Sequence, residues 1–231
     1  MIIGSNYAFI QVPRTSSSST SENLMEKHNA QYIRLHGTVR DTGVKLDGRF
    51  TFGFVRNPFE REFSEWKYHT TKPDDVFEPI SFTEWVLWRY ADLELPRSIF
   101  STHNGQFDSY EYLRTFSRYP QLGYFLDNDA NLVTNFIGTF ENREEDLNYV
   151  YNLLNLEDRE FNVVEAGCRR IPTSEYQKYY TNETHDIISE RYMPDCLAFG
   201  YSFDRRDSFY IAPHLVTEFP FIQHEGPYLH K

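Results

Sequence analysis

Two absences limit what this sequence can encode: it has little cysteine and no long apolar segment. Only Cys168 and Cys196 occur among the 231 residues, so we expect free, buried thiols and no disulfide framework. No stretch approaches the roughly 20 apolar residues of a membrane-spanning helix. Residues 1–5 lack the basic segment and apolar core of a signal peptide. The sequence therefore predicts a soluble, cytoplasmic protein without a membrane anchor.

Positive charge is scarce as well. The 23 Lys and Arg residues are outnumbered by 34 Asp and Glu residues, which gives a formal net charge of −11. Nucleic-acid binding requires a basic surface, so this charge argues against a nucleic-acid partner. The same acidic field would repel a long polyanion, and we therefore expect neutral partners. The oligomeric state is left open.

Two common site motifs are also missing. There is no G-x-x-x-x-G-K-[ST] loop, which counts against an ordinary nucleoside triphosphatase. The eight histidines form no H-x-x-x-H pair and the two cysteines form no C-x-x-C pair, so no metal site is expected.

Apolar and aromatic residues are abundant enough for a folded core, at 40% and 17% of the chain. Runs typical of buried strands alternate with segments of helical periodicity, which predicts an α/β fold: a parallel sheet with helices on both faces. Strands are expected at 7–12, 32–36, 49–55 and 136–140, a hairpin turn at 128–130, and helices at 18–28, from 58 onward, 81–90, 141–154 and 181–192. We assign residues 1–203 to a single domain and 204–231 to a C-terminal tail that packs on it.

The helix expected from Pro58 onward has an apolar stripe at helical spacing, formed by Phe59, Phe63 and Trp66. This stripe should face the core. Three glutamates of the same helix should face water: Glu60, Glu62 and Glu65. Arg61 could pair with Glu65 at the i,i+4 spacing and is interpreted as structural.

Two short segments share one pattern. Residues 9–19 and 52–64 each contain a buried strand, a turn rich in hydrogen-bond donors and the start of a helix. Such a turn is an anion site, because unpaired backbone N–H groups and the helix dipole both point at the ligand. Two of these turns, each with an arginine and hydroxyl groups, suggest a ligand with two separate phosphate-like groups.

These segments resemble the motifs of the carbohydrate (heparan/chondroitin, Golgi-type) sulfotransferases, a family with a P-loop-like α/β fold. Residues 12–15 (V-P-R-T) stand where the family has I-P-K-T, and Ser18 and Ser19 match its final T-S. Residues 54–64 match F-V-R-N-P-x-x-R-x-x-S. The first motif departs from the family pattern, since Arg14 replaces a lysine and residues 16–17 replace two glycines.

Further segments extend the resemblance from about residue 7 to residue 203, in the family's order. Residues 36–41 are similar to H-x-T-x-R-[DE], and residues 137–146 are similar to I-G-R-F-E-N-x-x-x-D. Residues 179–181 and 192–201 are similar to the closing Y-Y-T and Y-x-x-D-x-x-x-F-G-Y segments.

The resemblance implies a donor, 3′-phosphoadenosine 5′-phosphosulfate (PAPS), and no metal. The residues implied to hold the 5′-phosphosulfate are Arg14, Thr15, Ser16, Ser17, Ser18 and Ser19. Those implied to hold the 3′-phosphate are Arg56 and Ser64, and a late loop with Arg170 and Ser174 is implied to cover the cofactor.

The resemblance also implies the chemistry. His36 would take the proton of an acceptor hydroxyl on a carbohydrate or small molecule, since a neutral imidazole is a general base near pH 7. Arg14 would stabilise the charge on the leaving bisphosphate. His103 and Gln106 are weaker candidates for contact with the acceptor.

Other interpretations stay open at this point. The departures at Arg14 and at residues 16–17 would also suit a nucleotide-binding module that has lost turnover. A P-loop-type kinase is a further alternative, opposed by the missing Walker lysine. For single residues, Arg56 could belong to a structural ion pair and His36 could be a structural histidine near a strand end.

Overall fold

A computed structural model of the chain describes residues 1–71, 78–100, 102–103, 107–157 and 173–204. The predicted C-terminal tail, except for Asp204, lies outside these residues, so the domain boundary at residue 203 stays a prediction. No helix within the described ranges is long and apolar enough to cross a membrane.

The centre of the fold is a mixed five-stranded sheet. In chain order the strands are β1 (Ile2–Ile3), β2 (Tyr7–Ile10), β3 (Gln31–Tyr32), β4 (Phe50–Val55), β5 (Thr102–His103), β6 (Phe107–Asp108) and β7 (Phe136–Thr139). The sheet order is β3-β1-β2-β4-β7, and β5 pairs with β6 separately. Strands β2, β4 and β7 run parallel, whereas β1 is antiparallel to both of its neighbours.

The α/β prediction is therefore confirmed, but the sheet is not wholly parallel. Three residues, 4–6, connect β1 to β2. A parallel connection needs a crossover of about a dozen residues, so this link permits only an antiparallel hairpin.

Helices follow the parallel strands as predicted. The described residues form α1 (Ser17–His28), α2 (Val39–Thr42), α3 (Pro58–Thr70), α4 (Phe82–Tyr90), α5 (Ser109–Thr115), α6 (Arg143–Leu153), α7 (Thr173–Gln177), α8 (Asn182–Arg191) and α9 (Met193–Phe199). Short 3-10 helices cover Arg97–Ile99 and Gln121–Phe125. Helix α3 begins sharply because the Asn57 side chain accepts from the Phe59 N–H and Pro58 occupies the first turn.

Both faces of the sheet are covered. On one face, Phe52 and Phe54 pack against α1 and α6. On the other face, Val55 and Ile137 pack against α9 and the 3-10 helix at Gln121–Phe125. This alternation along β4 is the period of two that a strand imposes. A third apolar cluster joins α3 to α4, α5, α7 and α8 beside the sheet.

Two local predictions were wrong. The strand expected at 32–36 is only Gln31–Tyr32, because it lies at the sheet edge and pairs only with the two-residue β1. His36 consequently lies in a turn. The turn at 128–130 was expected between strands at 124–127 and 131–134. The turn is present, with one bridge between Leu126 and Leu132, but a 3-10 helix occupies the first half of the strand expected at 124–127.

Candidate functional site

The two predicted anion turns lie side by side at the carboxyl ends of two inner strands of the sheet. Strands β2 and β4 are parallel neighbours, so the turns that follow them meet at their carboxyl ends. Arg56 Nη1 donates to the Arg14 carbonyl at 3.1 Å, and Arg14 Nη2 donates to Ser64 Oγ at 3.3 Å. Residues from the two motifs are thus brought into direct contact.

The first turn ends in a buried, unsatisfied hydroxyl. Ser16 is the N-cap of α1 with φ 62° and ψ 25°, and its side chain makes no capping bond. Its Oγ is buried and has no hydrogen-bond partner among the residues that the structure describes. Ser17 and Ser19 are buried in the first turn of α1, where backbone N–H groups have no intrahelical acceptor, and Ser18 is exposed. The turn therefore presents the Ser16 hydroxyl together with first-turn N–H groups of α1 that have no acceptor within the helix.

The left-handed backbone at Ser16 shows why glycine suits this position of the family motif. Glycine adopts φ near +60° freely, whereas another residue pays roughly 1 kcal/mol for it. Ser16 adopts this conformation despite the strain, and its side chain adds a hydroxyl group that glycine lacks. Ser17 is helical, so only one of the two replaced glycines has a left-handed conformation in this chain.

We expect Ser16→Gly to raise the free energy of unfolding by about 1 kcal/mol, because the strain is relieved, and Ser16→Ala to leave it nearly unchanged. If the Ser16 hydroxyl donates to a bound anion, both variants should bind 3′-phosphoadenosine 5′-phosphate about tenfold more weakly. Thermal unfolding and calorimetry measure the two effects. Ser21→Ala is the matched control: its hydroxyl donates to the Ser17 carbonyl at 2.7 Å, so stability should fall without a change in affinity. Unchanged affinity in both Ser16 variants would remove Ser16 from the site.

Arg56 is fully buried and its guanidinium is engaged. Nη2 forms a 2.8 Å ion pair with Glu60, which is also fully buried, and the guanidinium lies 4.0 Å from the centre of the Phe140 ring. Only Nε has no hydrogen-bond partner among the described residues. The structural ion pair considered from the sequence is thus present. Contact between Arg56 and a 3′-phosphate stays a prediction.

Arg14 lies against α3. Its guanidinium is 4.1 Å from the centre of the Tyr68 ring, and its Nε is 3.7 Å from Glu65 Oε2, an ion-pair distance too long for a hydrogen bond. Glu65 also accepts from Ser117 Oγ at 3.0 Å and lies 3.5 Å from His69 Nε2. Burial raises the pKa of Glu65, but its hydrogen bond to His69 and the nearby cations lower it to about 2 overall.

His36 lies close to the same loop. Its Nδ1 is 2.9 Å from the Gln11 carbonyl, which can only accept, so Nδ1 carries a proton and Nε2 of the neutral ring has the lone pair. The ring meets Phe116 edge-to-face at 5.4 Å. Burial lowers the pKa of His36, against opposing contributions from the Gln11 carbonyl and Glu65. A neutral ring with a basic Nε2 suits a general base.

The structure corrects the expected pairing of Arg61. Its Nη2 donates to the carbonyls of Ser117 at 3.2 Å and Tyr119 at 3.1 Å, and its guanidinium lies over Tyr192. Arg61 therefore holds the segment after α5 and is structural, as predicted, through partners other than Glu65.

The three glutamates of α3 are the main surprise. Glu60, Glu62 and Glu65 were expected to face water, yet each is at most 2% exposed. Glu62 pairs with Arg89 at 2.8 Å and accepts from Trp85 and Tyr90. The i,i+4 spacings from Arg56 to Glu60 and from Glu65 to His69 were sequence signals for two of these contacts, whereas no signal pointed to Ser117.

Several predicted site residues cannot be compared with the structure. Arg170 and Gln106 lie outside the described residues. For His103 in β5 and Ser174 in α7 the backbone is described and the side chains are not. No group of three His, Cys, Asp or Glu side chains suited to a metal occurs in the described ranges. The absence of a metal requirement remains a prediction.

The family model described as "Sulfotransferase family" matches residues 4–202. No curated protein and no solved structure matches the chain. The match covers most of the 231 residues and both anion turns, so the resemblance seen in the sequence is confirmed: the chain belongs to the sulfotransferase family.

Proposed function

We propose that the protein transfers a sulfuryl group from PAPS to a hydroxyl group of a carbohydrate acceptor. The contact between the two motifs carries this proposal: Arg56 donates to the Arg14 carbonyl, and Arg14 donates to Ser64. Two cations and two donor-rich turns thus lie together at the carboxyl ends of β2 and β4. That arrangement suits a ligand with two separate phosphate-like groups.

The polar atoms at the carboxyl ends of β2 and β4 suit PAPS as the sulfuryl donor. The buried Ser16 hydroxyl and Arg56 Nε have no partner among the described residues, so both can donate to an anion. PAPS, when bound, supplies the sulfuryl group and leaves as a bisphosphate. The residues proposed to hold it are Arg14, Thr15, Ser16, Ser17, Ser18, Ser19, Arg56 and Ser64, with Arg170 and Ser174 proposed to cover it.

Arg14 and His36 are the proposed catalytic residues. Arg14 provides a fixed positive charge beside the first turn, where a leaving group gains negative charge. His36 Nε2 takes the proton of the acceptor hydroxyl, since its Nδ1 is committed to the Gln11 carbonyl. An aliphatic hydroxyl needs such a base more than a phenol does, because a phenol ionises near pH 10. This requirement favours a sugar hydroxyl.

Aromatic residues beside His36 support an acceptor of low charge. Phe116 contacts the His36 ring and stacks on Tyr112 with centroids 4.8 Å apart. Both side chains are half-buried. Sites for small organic ligands are lined mainly by such side chains, and the net charge of −11 disfavours a polyanion. His103 and Gln106 are further proposed acceptor contacts.

A nucleotide-binding protein without turnover is the second candidate. Its support is the ion pair between Arg14 and Glu65, which partly neutralises the cation that catalysis needs. This candidate requires tight binding of the bisphosphate nucleotide with no transfer to any acceptor.

Calorimetric titration with 3′-phosphoadenosine 5′-phosphate, 5′-AMP and ATP tests the donor assignment. We expect the bisphosphate to bind roughly 100-fold more tightly than 5′-AMP, because a second phosphate gains charge-assisted hydrogen bonds. A screen of neutral glycosides with labelled PAPS then tests transfer. Equal affinity for all three nucleotides would remove the proposal, and magnesium-dependent preference for ATP would indicate a kinase.

A further inference from the structure

We infer that Glu65 is the positioning residue of this site: its carboxylate fixes Arg14 of the first turn against α3 and against the segment after α5. The inference rests on the proposed function for its catalytic meaning. Its structural part stands on the contacts of Glu65 alone.

Glu65 connects three parts of the fold. One oxygen lies 3.7 Å from Arg14 Nε in the turn after β2. The other accepts from Ser117 Oγ at 3.0 Å, just after α5, and lies 3.5 Å from His69 Nε2 on α3 itself. The turn that is proposed to hold the donor is therefore tied to the segment after α5, which contains Phe116, the residue in contact with His36.

The position of Glu65 distinguishes it from the other buried glutamate on the same helix. Glu62 lies three residues earlier and is equally buried, but its partners are Arg89, Trp85 and Tyr90 on α4. Those partners lie on α4, and Arg89 also donates to the Phe116 carbonyl. Glu62 thus reaches the site only through Arg89 and the Phe116 backbone, whereas Glu65 lies at ion-pair distance from Arg14 itself.

The charge of Glu65 should act on both catalytic residues. It offsets the cation of Arg14 and limits the freedom of its side chain. Burial lowers the pKa of His36, and the charge of Glu65 opposes this decrease. Replacing Glu65 with neutral glutamine keeps the volume and one acceptor oxygen for Ser117; it removes the charge and replaces the second oxygen with an amide donor.

Glu65→Gln is expected to shift binding and turnover in opposite directions. The affinity for 3′-phosphoadenosine 5′-phosphate should rise by about fivefold, because a buried negative charge is removed near an anion site. Turnover of labelled PAPS with a glycoside from the screen should fall by about tenfold, because Arg14 is no longer held in place. A purely structural residue would weaken both or neither.

A third measurement uses the ligand-free protein. The His36 ring is titrated by NMR in wild type, Glu65→Gln and the matched control Glu62→Gln. We expect the pKa of His36 to fall further in Glu65→Gln and to stay at the wild-type value in Glu62→Gln. Ser117→Ala removes one hydrogen bond to Glu65 without changing any charge, and it should lower turnover by about threefold. This variant still tests the inference if Glu65→Gln folds poorly.

The outcomes separate the two proposals. If wild type shows no preference for the bisphosphate, the proposed function fails, while the His36 titration still decides whether Glu65 acts on the site. If Glu65→Gln and Ser117→Ala match Glu62→Gln in His36 pKa, nucleotide affinity and turnover per folded protein, Glu65 is structural and the inference is wrong.

Discussion

Arg56→Met is expected to lower the free energy of unfolding by about 3–5 kcal/mol and to weaken binding of 3′-phosphoadenosine 5′-phosphate by about 100-fold. The loss of stability follows from Glu60, whose carboxylate is fully buried 2.8 Å from Arg56 and would be left without its counter-charge. The Arg14 carbonyl would lose its donor as well. Chemical denaturation and calorimetry measure the two effects.

A second variant separates binding from folding. Replacing both partners of a buried ion pair with apolar residues is often neutral for stability, so Arg56→Met with Glu60→Leu should recover most of the loss. If Arg56 binds the 3′-phosphate, this stable double variant still binds the nucleotide weakly. Recovery of full affinity would show that the loss in Arg56→Met came from the unpaired charge of Glu60, and Arg56 would then have no role in binding.

The Arg89–Glu62 pair provides the matched control. Both side chains are buried, the ion pair is also 2.8 Å long, and it lies between α3 and α4. Arg89→Met should cost a similar free energy of unfolding, with nucleotide affinity unchanged in the folded fraction. A similar loss of affinity in both arginine variants would mean that binding reports general destabilisation.

The sequence was a good guide where local pattern decides structure. The parallel strands β2, β4 and β7 are buried on both faces and therefore consist of continuous apolar runs. The turns after β2 and β4 could be predicted for the same reason, since each begins where an apolar run stops. Their contact through Arg56 and Arg14 follows from the parallel pairing of the two strands.

The sequence failed where distant parts of the chain decide burial. Amphipathic reasoning assigns one buried face to a helix, yet α3 packs against α4, α7 and α8 and is buried nearly all round. Its glutamates are tolerated inside because arginines and hydroxyls from other elements meet them. Arg89 and Ser117 are distant from α3 in sequence, and the spacing within α3 carries no information about them.

Prediction from the sequence was limited in the same way at the edge strand β3. Residues 32–36 alternate as a strand does, but β1 offers only two residues to pair with. The chain leaves the sheet after Tyr32, and His36 instead adopts φ 49° in a turn. This turn brings its Nδ1 to the Gln11 carbonyl. The strand-like alternation placed His36 at the end of a strand. It predicted neither the turn in which His36 lies nor the hydrogen bond to Gln11 that fixes the tautomer of its ring.

His36→Gln is expected to lower turnover by about 10²- to 10⁴-fold, the usual contribution of a general base. Nucleotide affinity should remain within about twofold, because His36 is proposed to contact the acceptor and not the donor. Transfer to a glycoside from the acceptor screen and calorimetry measure the two quantities. His185→Gln on α8, where the ring stacks on Phe59, is the control and should leave both unchanged.

The pH dependence gives an independent test of the same role. The base acts when deprotonated, so kcat/KM should fall as the pH drops through the pKa of His36. Burial lowers that pKa below its ordinary value of 6.5, with the Gln11 carbonyl and Glu65 opposing the decrease and Arg14 adding to it. Activity should therefore persist to lower pH than an unperturbed histidine would allow. Residual activity of His36→Gln should lose this acidic limb; if the limb remains unchanged in the variant, another group is the base and His36 serves only to hold the turn at Gln11.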